Sequence, residues 1–156
     1  MVTTTPLLLL LDGILSQDEE RTSQAMQQIQ DLIYLPPLRE SPLRSANALE
    51  TIIQTLMTHQ PWLAQVGSGN DRSLPLHFAA SIGNIRVAHL LLEPYPKAAS
   101  TPNKKGKIPL HYAAREGRAD MVKFMLQMVP ETAAINSKKG KLALNFAAGE
   151  GHTEVV

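Results

Sequence analysis

Apolar residues recur along this chain at the three-and-four spacing of amphipathic helices. Val87, Ala88, Leu91 and Leu92 form one such stripe, and Met121, Val122, Met125 and Leu126 repeat it 34 residues later. Ile52, Ile53, Leu56 and Met57 supply an earlier one, and Ala25, Met26, Ile29, Leu32 and Ile33 another. Polar stretches carrying Gly or Pro separate the stripes. The pattern predicts short helices joined by tight turns.

The chain also repeats itself in sequence. Leu74-Pro75-Leu76-His77-Phe78-Ala79-Ala80 returns as Ile108-Pro109-Leu110-His111-Tyr112-Ala113-Ala114 and again as Leu142-Ala143-Leu144-Asn145-Phe146-Ala147-Ala148. Each block is 34 residues from the next, and the phase holds between blocks: Asn103-Lys104-Lys105-Gly106-Lys107 matches Ser137-Lys138-Lys139-Gly140-Lys141. Pro75 and Pro109 suit a first helical position, where a missing N–H costs nothing. The Ala-Ala pairs keep that helix thin, and Gly83 and Gly117 end it as residues that tolerate positive φ. One such unit cannot bury its own apolar face, so it must stack on a neighbour.

Pro-Leu-His-x-Ala-Ala-x-x-Gly, with two helices and a Gly-bearing turn per period, resembles the ankyrin repeat. Tetratricopeptide arrays share the 34-residue period but not that block. The expected fold is therefore all-α: an ankyrin-type helix–turn–helix solenoid with short hairpin-like turns between repeats. The resemblance is clear over residues 69–156, which divide into repeats at 69–102 and 103–136 and a truncated one at 137–156. Residues 41–68 read as a degenerate repeat, since Ser41-Pro42-Leu43 aligns with the motif and Pro61-Trp62-Leu63-Ala64 parallels Pro96-Lys97-Ala98-Ala99. Two residues and the inter-helix Gly are missing there, so its helices are expected to join tightly or merge. Residues 1–40 read as an N-terminal helical cap, with a partner-docking helix as the alternative.

Departures from the family pattern carry expectations too. Leu74, Ile108 and Leu142 stand where the family has a helix-capping Thr. Asn145 and Ala143 replace His and Pro in the last repeat, which should loosen it. Asn103 and Ser137 stand near the place of the family's loop Asp. The second helix of the last repeat has barely begun at Val156, so the chain is expected to be a fragment or the product of a truncated gene model, with Leu144, Phe146, Val155 and Val156 poorly covered.

Composition narrows the chemistry. The chain has 156 residues, 4% aromatic and 44% hydrophobic, and no cysteine, which excludes disulfides, thiolate metal sites and thiol nucleophiles. The five-residue apolar run Leu7–Leu11 is far short of the roughly 20 residues a membrane span needs. It lacks the basic flank of a signal peptide, and no Asn-x-Ser/Thr sequon occurs, so a cytoplasmic or nuclear location is expected. The net charge of +1 hides an asymmetry: residues 1–63 hold three basic and seven acidic side chains, whereas residues 64–156 hold twelve and seven.

His77 and His111 fall at the family's hydrogen-bonding position, where the ring ties one repeat's turn to its neighbour. No metal-ligand spacing, phosphate-cradling Gly loop or Gly-x-Ser-x-Gly elbow occurs, so no catalytic residue, metal ligand or cofactor is assigned and the chain is read as non-enzymatic. Met26, Met57, Met121, Met125 and Met128 are read as core and near-core filling.

The resemblance implies a concave binding surface made of the turns, which project as fingers, and the residues after Ala-Ala. Carried over, it comprises Lys104, Lys105, Lys107, Lys138, Lys139 and Lys141 with Phe78, Ser81, Ile82, Tyr112, Arg115, Glu116, Phe146 and Glu150. Repeats about 8–10 Å apart would align the lysines into a basic ridge. The expected function is protein–protein recognition by a monomer, with an acidic protein as one candidate partner. The alternatives are nucleic acid or anionic lipid bound by the ridge, or the regulatory part of a larger protein. The thin cover of the last repeat gives one expected outcome: in hydrogen-exchange mass spectrometry, residues 142–156 exchange well before residues 76–126. Equal protection would remove the inference of a poorly covered last repeat.

Overall fold

A computed structural model describes residues 46–156; the expected cap at 1–40 and the motif-like Ser41-Pro42-Leu43 lie outside the described residues. The elements are α1 (Ala46–His59), α2 (Pro75–Ile82), α3 (Ile85–Leu92), α4 (Pro109–Arg115), α5 (Ala119–Met128) and α6 (Ala143–Gly149). Three 3-10 turns, Pro61–Gln65, Pro96–Ala99 and Pro130–Ala134, follow α1, α3 and α5. Among the described residues there is no strand, only an antiparallel bridge between Ser68 and Ser73. The architecture is the helix–turn–helix solenoid that the repeat implies.

The repeat chemistry explains each element. Pro75 and Pro109 open α2 and α4 at the first turn. Gly83 caps α2 in the left-handed region at φ 86°, and Gly117 turns the chain after α4 at φ 67°. Asn84 caps α3 by accepting a bond from the Val87 N–H at 3.1 Å. The prolines after α3 and α5 do more than stop those helices: each starts the 3-10 turn that leads the chain back to the next finger.

Stacking follows from small side chains. α2 packs on α4 and α4 on α6, while the second helices α3 and α5 pack behind them. Ala79, Ala80, Ala113 and Ala114 are fully buried between the first helices, beside Leu76, Leu110 and Ile108. Each buried Leu contributes about 1.5–3 kcal/mol, and the alanines contribute chiefly by letting the helices approach. Val87, Ala88, Leu91, Leu92, Met121, Val122 and Met125 complete the core from the second helices. Within the stretch read as degenerate, α1 is one helix of 14 residues. Its Ile53 and Leu56 are buried, whereas the side chain of Ile52 lies outside the described residues.

Two expectations about cover need correction. Leu144 and Val156 are exposed, at 49% and 68%, but Phe146 and Val155 are half-buried: Lys107 lies over the Phe146 ring and Val155 packs against the core. Met128, read as filling, is 51% exposed.

The fingers are closed by backbone bonds. Asn103 N–H donates to Lys107 O and Ser137 N–H to Lys141 O, both at 2.9 Å. Successive fingers are also bonded to each other, Lys104 N–H to Asp71 O at 2.8 Å and Lys138 N–H to Lys105 O at 3.2 Å. Gly106 makes the second contact possible. A Cβ there would stand 2.6 Å from the Lys138 nitrogen, whereas one at Gly140 would meet nothing within 4 Å. Both glycines sit at positive φ, 69° and 67°, so alanine at either costs about 1–2 kcal/mol in backbone strain. The expected outcome in urea denaturation is that Gly106→Ala destabilises more than Gly140→Ala, by at least the loss of one hydrogen bond, about 1 kcal/mol. Equal losses would mean that finger contact adds nothing.

Candidate functional site

The fingers are held from beneath by the two motif histidines. His77 Nδ1 accepts the Leu74 N–H at 3.0 Å, and its Nε2 lies 2.9 Å from Lys107 O in the next finger. An amide can only donate and a carbonyl only accept, so the ring is the neutral Nε2–H tautomer. His111 repeats this with Ile108 N–H at 3.0 Å and Lys141 O at 3.1 Å. The missing Thr hydroxyl is therefore not replaced at the helix start. Leu74 and Ile108 are buried core residues instead, and each first helix begins on its histidine. In the last repeat Asn145 Oδ1 accepts the Leu142 N–H at 2.8 Å, so the local half of the arrangement survives without the ring.

Asn103 is the residue that sequence reasoning undervalued. It is 5% exposed and uses all four of its hydrogen-bonding positions. Its Oδ1 accepts from Lys105 N–H and Lys107 N–H at 3.0 and 3.1 Å; its Nδ2 donates to Ser73 Oγ at 2.9 Å and Tyr112 Oη at 2.8 Å. Ser137, one period on, makes a single weaker version, its Oγ accepting from Lys141 N–H at 3.3 Å. A second tether was equally hidden: Arg118 Nε donates to Ser81 O at 3.0 Å, and His152 Nε2 donates to Arg115 O at 2.8 Å.

The six lysines do not form a uniform ridge. Lys104, Lys138, Lys139 and Lys141 are exposed. Lys105 is held by Asp71 at 2.6 Å, and that hydrogen bond raises its pKa. Lys107 is half-buried, with Nζ 4.6 Å from the Phe146 ring centre and 5.5 Å from that of Tyr112. Its pKa is lowered, first by burial and then by the positive charges of Arg115, Lys105 and Lys139. Lys141 lies 6.0 Å from the Phe146 ring centre.

Of the remaining carried-over residues, Tyr112 and Phe146 lie edge-on to His77 and His111, at 5.6 and 5.4 Å between ring centres. Phe78 and Ile82 are half-buried; Arg115, Glu116 and Glu150 are exposed, and Arg115 and Glu116 form a loose pair at 3.8 Å. Ser81 departs from the expected surface: it is 7% exposed and its hydroxyl donates to Phe78 O, so it offers a partner little area. Among the described residues no group of three His, Asp or Glu side chains converges as a metal site, and no helix is long and apolar enough to cross a membrane.

A family model for ankyrin repeats in three copies matches residues 43–138 and 76–156. The chain belongs to the ankyrin repeat family. Such repeats are generally non-enzymatic protein-interaction modules. No curated protein matches the chain. Among solved structures, the ankyrin stack resembles a chain in the crystal structure of the yeast ribosomal protein Rps3 in complex with its chaperone Yar1. The identity is 26% and the TM-score 0.64, over 83% of this chain and 89% of that one.

The histidine geometry of the ankyrin stack sets a pH dependence. Burial, the largest cause, lowers the pKa of His77 from 6.5 to about 4 and lowers that of His111. The folded pKa lies below the unfolded one, so the unfolded chain binds more protons between these values. The stabilisation is complete above pH 6.5 and is lost as pH falls toward 4. His77→Asn should keep an acceptor for Leu74 N–H, as Asn145 does for Leu142, but lose the bond to Lys107 O. It is expected to cost about 1–3 kcal/mol at pH 7 and clearly less at pH 5. Urea titrations at the two pH values measure this, and a wild-type-to-variant gap that stays constant would contradict it.

Proposed function

We propose that this ankyrin stack is a non-catalytic module that binds a protein partner through its finger turns and concave helix face. The observation that carries the reading is the division of labour among the lysines. Lys104, Lys138, Lys139 and Lys141 are exposed on backbone-bonded fingers, and the half-buried rings of Tyr112 and Phe146 lie against Lys107 and, for Phe146, Lys141. Rigid display of charge beside apolar area lowers the ordering cost of association and lets charge steer the encounter. Family membership supports protein binding in general. The similarity to a chain from a ribosomal protein–chaperone complex supports a protein as the ligand, without naming this chain's partner. The positive sign of the fingers favours an acidic surface on that partner.

Electrostatic binding of nucleic acid or anionic lipid is the second reading, favoured only by the lysines. The fingers carry no interleaved aromatic residues on which bases could stack. The test is capture from a cell extract by immobilised protein, comparing wild type with Lys104→Glu/Lys138→Glu/Lys139→Glu and with Lys97→Glu/Lys123→Glu, outside the second and third fingers. Nuclease-treated extract should still yield captured proteins with wild type and the second variant, at least ten-fold depleted with the first. Capture that survives finger reversal would discard the finger surface. Capture abolished by nuclease would favour nucleic acid.

A further inference from the structure

The fingertips form a column: the bonds from Lys104 N–H to Asp71 O and from Lys138 N–H to Lys105 O tie each finger to the next, and the Lys105–Asp71 ion pair joins residues one 34-residue period apart. Along one line of that column the residues are Asp71, Lys105 and Lys139. Asp71 neutralises Lys105 at 2.6 Å. Lys139 stands one period after Lys105, and no carboxylate pairs with it among the described residues. The gap between the first and second fingers is thus satisfied internally, while that between the second and third is not.

That second gap has a floor as well as a charge. The Lys107 stem crosses from its own repeat to the next, bringing Nζ within 4.6 Å of the Phe146 ring centre and 5.5 Å of that of Tyr112. The positive charges of Arg115, Lys105 and Lys139 bear on it there, opposed only weakly by Asp71, which is already paired with Lys105, and Glu116 engages Arg115 only at 3.8 Å. A cation above aromatic rings gains on the order of 0.5–1 kcal/mol at an exposed site, which holds the ammonium in place without consuming its hydrogen bonds. Neighbouring positive charges, a shortage of acid and half-buried aromatic rings occur together in this gap.

We infer that the notch between the second and third fingers binds a carboxylate side chain of an acidic peptide segment in the partner protein, accepted by Lys107, Lys139 and Arg115 as Asp71 is accepted by Lys105. The inference rests on the protein-binding reading above and deepens it by fixing both the chemistry of the contact and its place. The acid completes the charge alternation that the first gap already has, and its stem lies on the Tyr112 and Phe146 rings.

The probe is fluorescein-labelled decaglutamate, titrated in about 0.1 M salt, where the Debye length is about 10 Å. Lys107→Met keeps an apolar stem on the rings, and Lys139→Gln removes the second donor. Each is expected to weaken binding at least five-fold. Lys123→Gln on α5, which removes the same single charge elsewhere, and Asp71→Asn/Lys105→Gln, which leaves the net charge unchanged, should stay within two-fold of wild type. Circular dichroism melts confirm that each variant is folded, and bound peptide should shift the Tyr112 and Phe146 ring resonances in NMR spectra. Equal weakening by Lys123→Gln, no binding by wild type, or tighter binding of a 20-base-pair DNA duplex or of phosphatidylserine vesicles would each overturn the notch. If the notch fails while finger-dependent capture of proteins persists, the broader reading stands; if both fail, neither does.

Discussion

The stack depends on a buried imidazole in each of its two complete repeats. His77 closes its own helix start through Nδ1 and holds the next finger through Nε2, so a single side chain fixes local and inter-repeat geometry together. Both requirements demand the neutral ring with its proton on Nε2. The carbonyl it grips is fully used: Lys107 O also accepts the Asn103 N–H that closes the finger, and Lys141 O is shared in the same way by Ser137 N–H and His111. Loss of the ring would leave a buried amide and weaken a finger anchor at once, and unsatisfied buried groups cost more than a formed bond contributes. The remaining features of the fold fit around this constraint. Alanines let the first helices approach until the ring can span the distance, and Gly106 lets the fingers meet where it directs them.

Other contacts share that span and explain why the fingers behave as one surface. Arg118 and His152 reach back to carbonyls at the ends of the preceding first helices, on the side of each repeat where the helices turn. Asn103 binds its own finger, the preceding Ser73 and Tyr112 on the helix face. Tyr112 is thereby fixed at its hydroxyl while its ring meets the His77 edge, which makes it a poor candidate for an adaptable contact and a good one for a rigid floor. Asn145 supplies only the local half of the histidine's role. Ser137, with one bond where Asn103 has four, gives the third finger fewer ties than the second. Rigidity along the fingers is therefore graded, highest where Asn103 and both histidine anchors meet.

What was legible in the sequence follows a physical division. Periodicity and the Pro-Leu-His-x-Ala-Ala block carried the solenoid and the helix ends at Gly83 and Gly117, because those features are repeated by residue type; the bridging role of His77 and His111 came from the resemblance to the ankyrin repeat. Features set by one residue acting across the repeat boundary were hidden. Asn103 read as a stand-in for a missing acid, yet it organises a finger; Arg118 and His152 share a position but no chemistry class. Pro96 and Pro130 read only as stopping or closely following the second helices, and Pro61 only as the parallel of Pro96; each opens a 3-10 turn. Among the residues carried over to the binding surface, exposure could not be inferred from register alone. Ser81 bonds to Phe78 O and turns inward, while Lys107 is drawn onto two rings that lie five residues ahead in its own repeat and one repeat further on.

Charge shows most clearly why register matters more than composition here. Six lysines in two matching turns would suggest six equivalent cations, and a net balance of +5 over residues 64–156 would suggest a diffuse attraction. The fold divides them. Asp71, in a first finger that has no lysine, removes Lys105 from the ridge, and the aromatic pair holds Lys107 at its edge. At about 0.1 M salt, charges further apart than roughly 10 Å are largely screened from one another, so what a partner meets is the local arrangement and not the total. Between the second and third fingers that arrangement is positive, partly desolvated and backed by bonded main chain. A diffuse basic surface attracts any polyanion in proportion to its charge, but a notch of this kind discriminates by where the opposite charge sits relative to an apolar stem. On the proposed reading, selectivity among acidic partners would follow from the spacing of the repeats themselves, which the histidine anchors set.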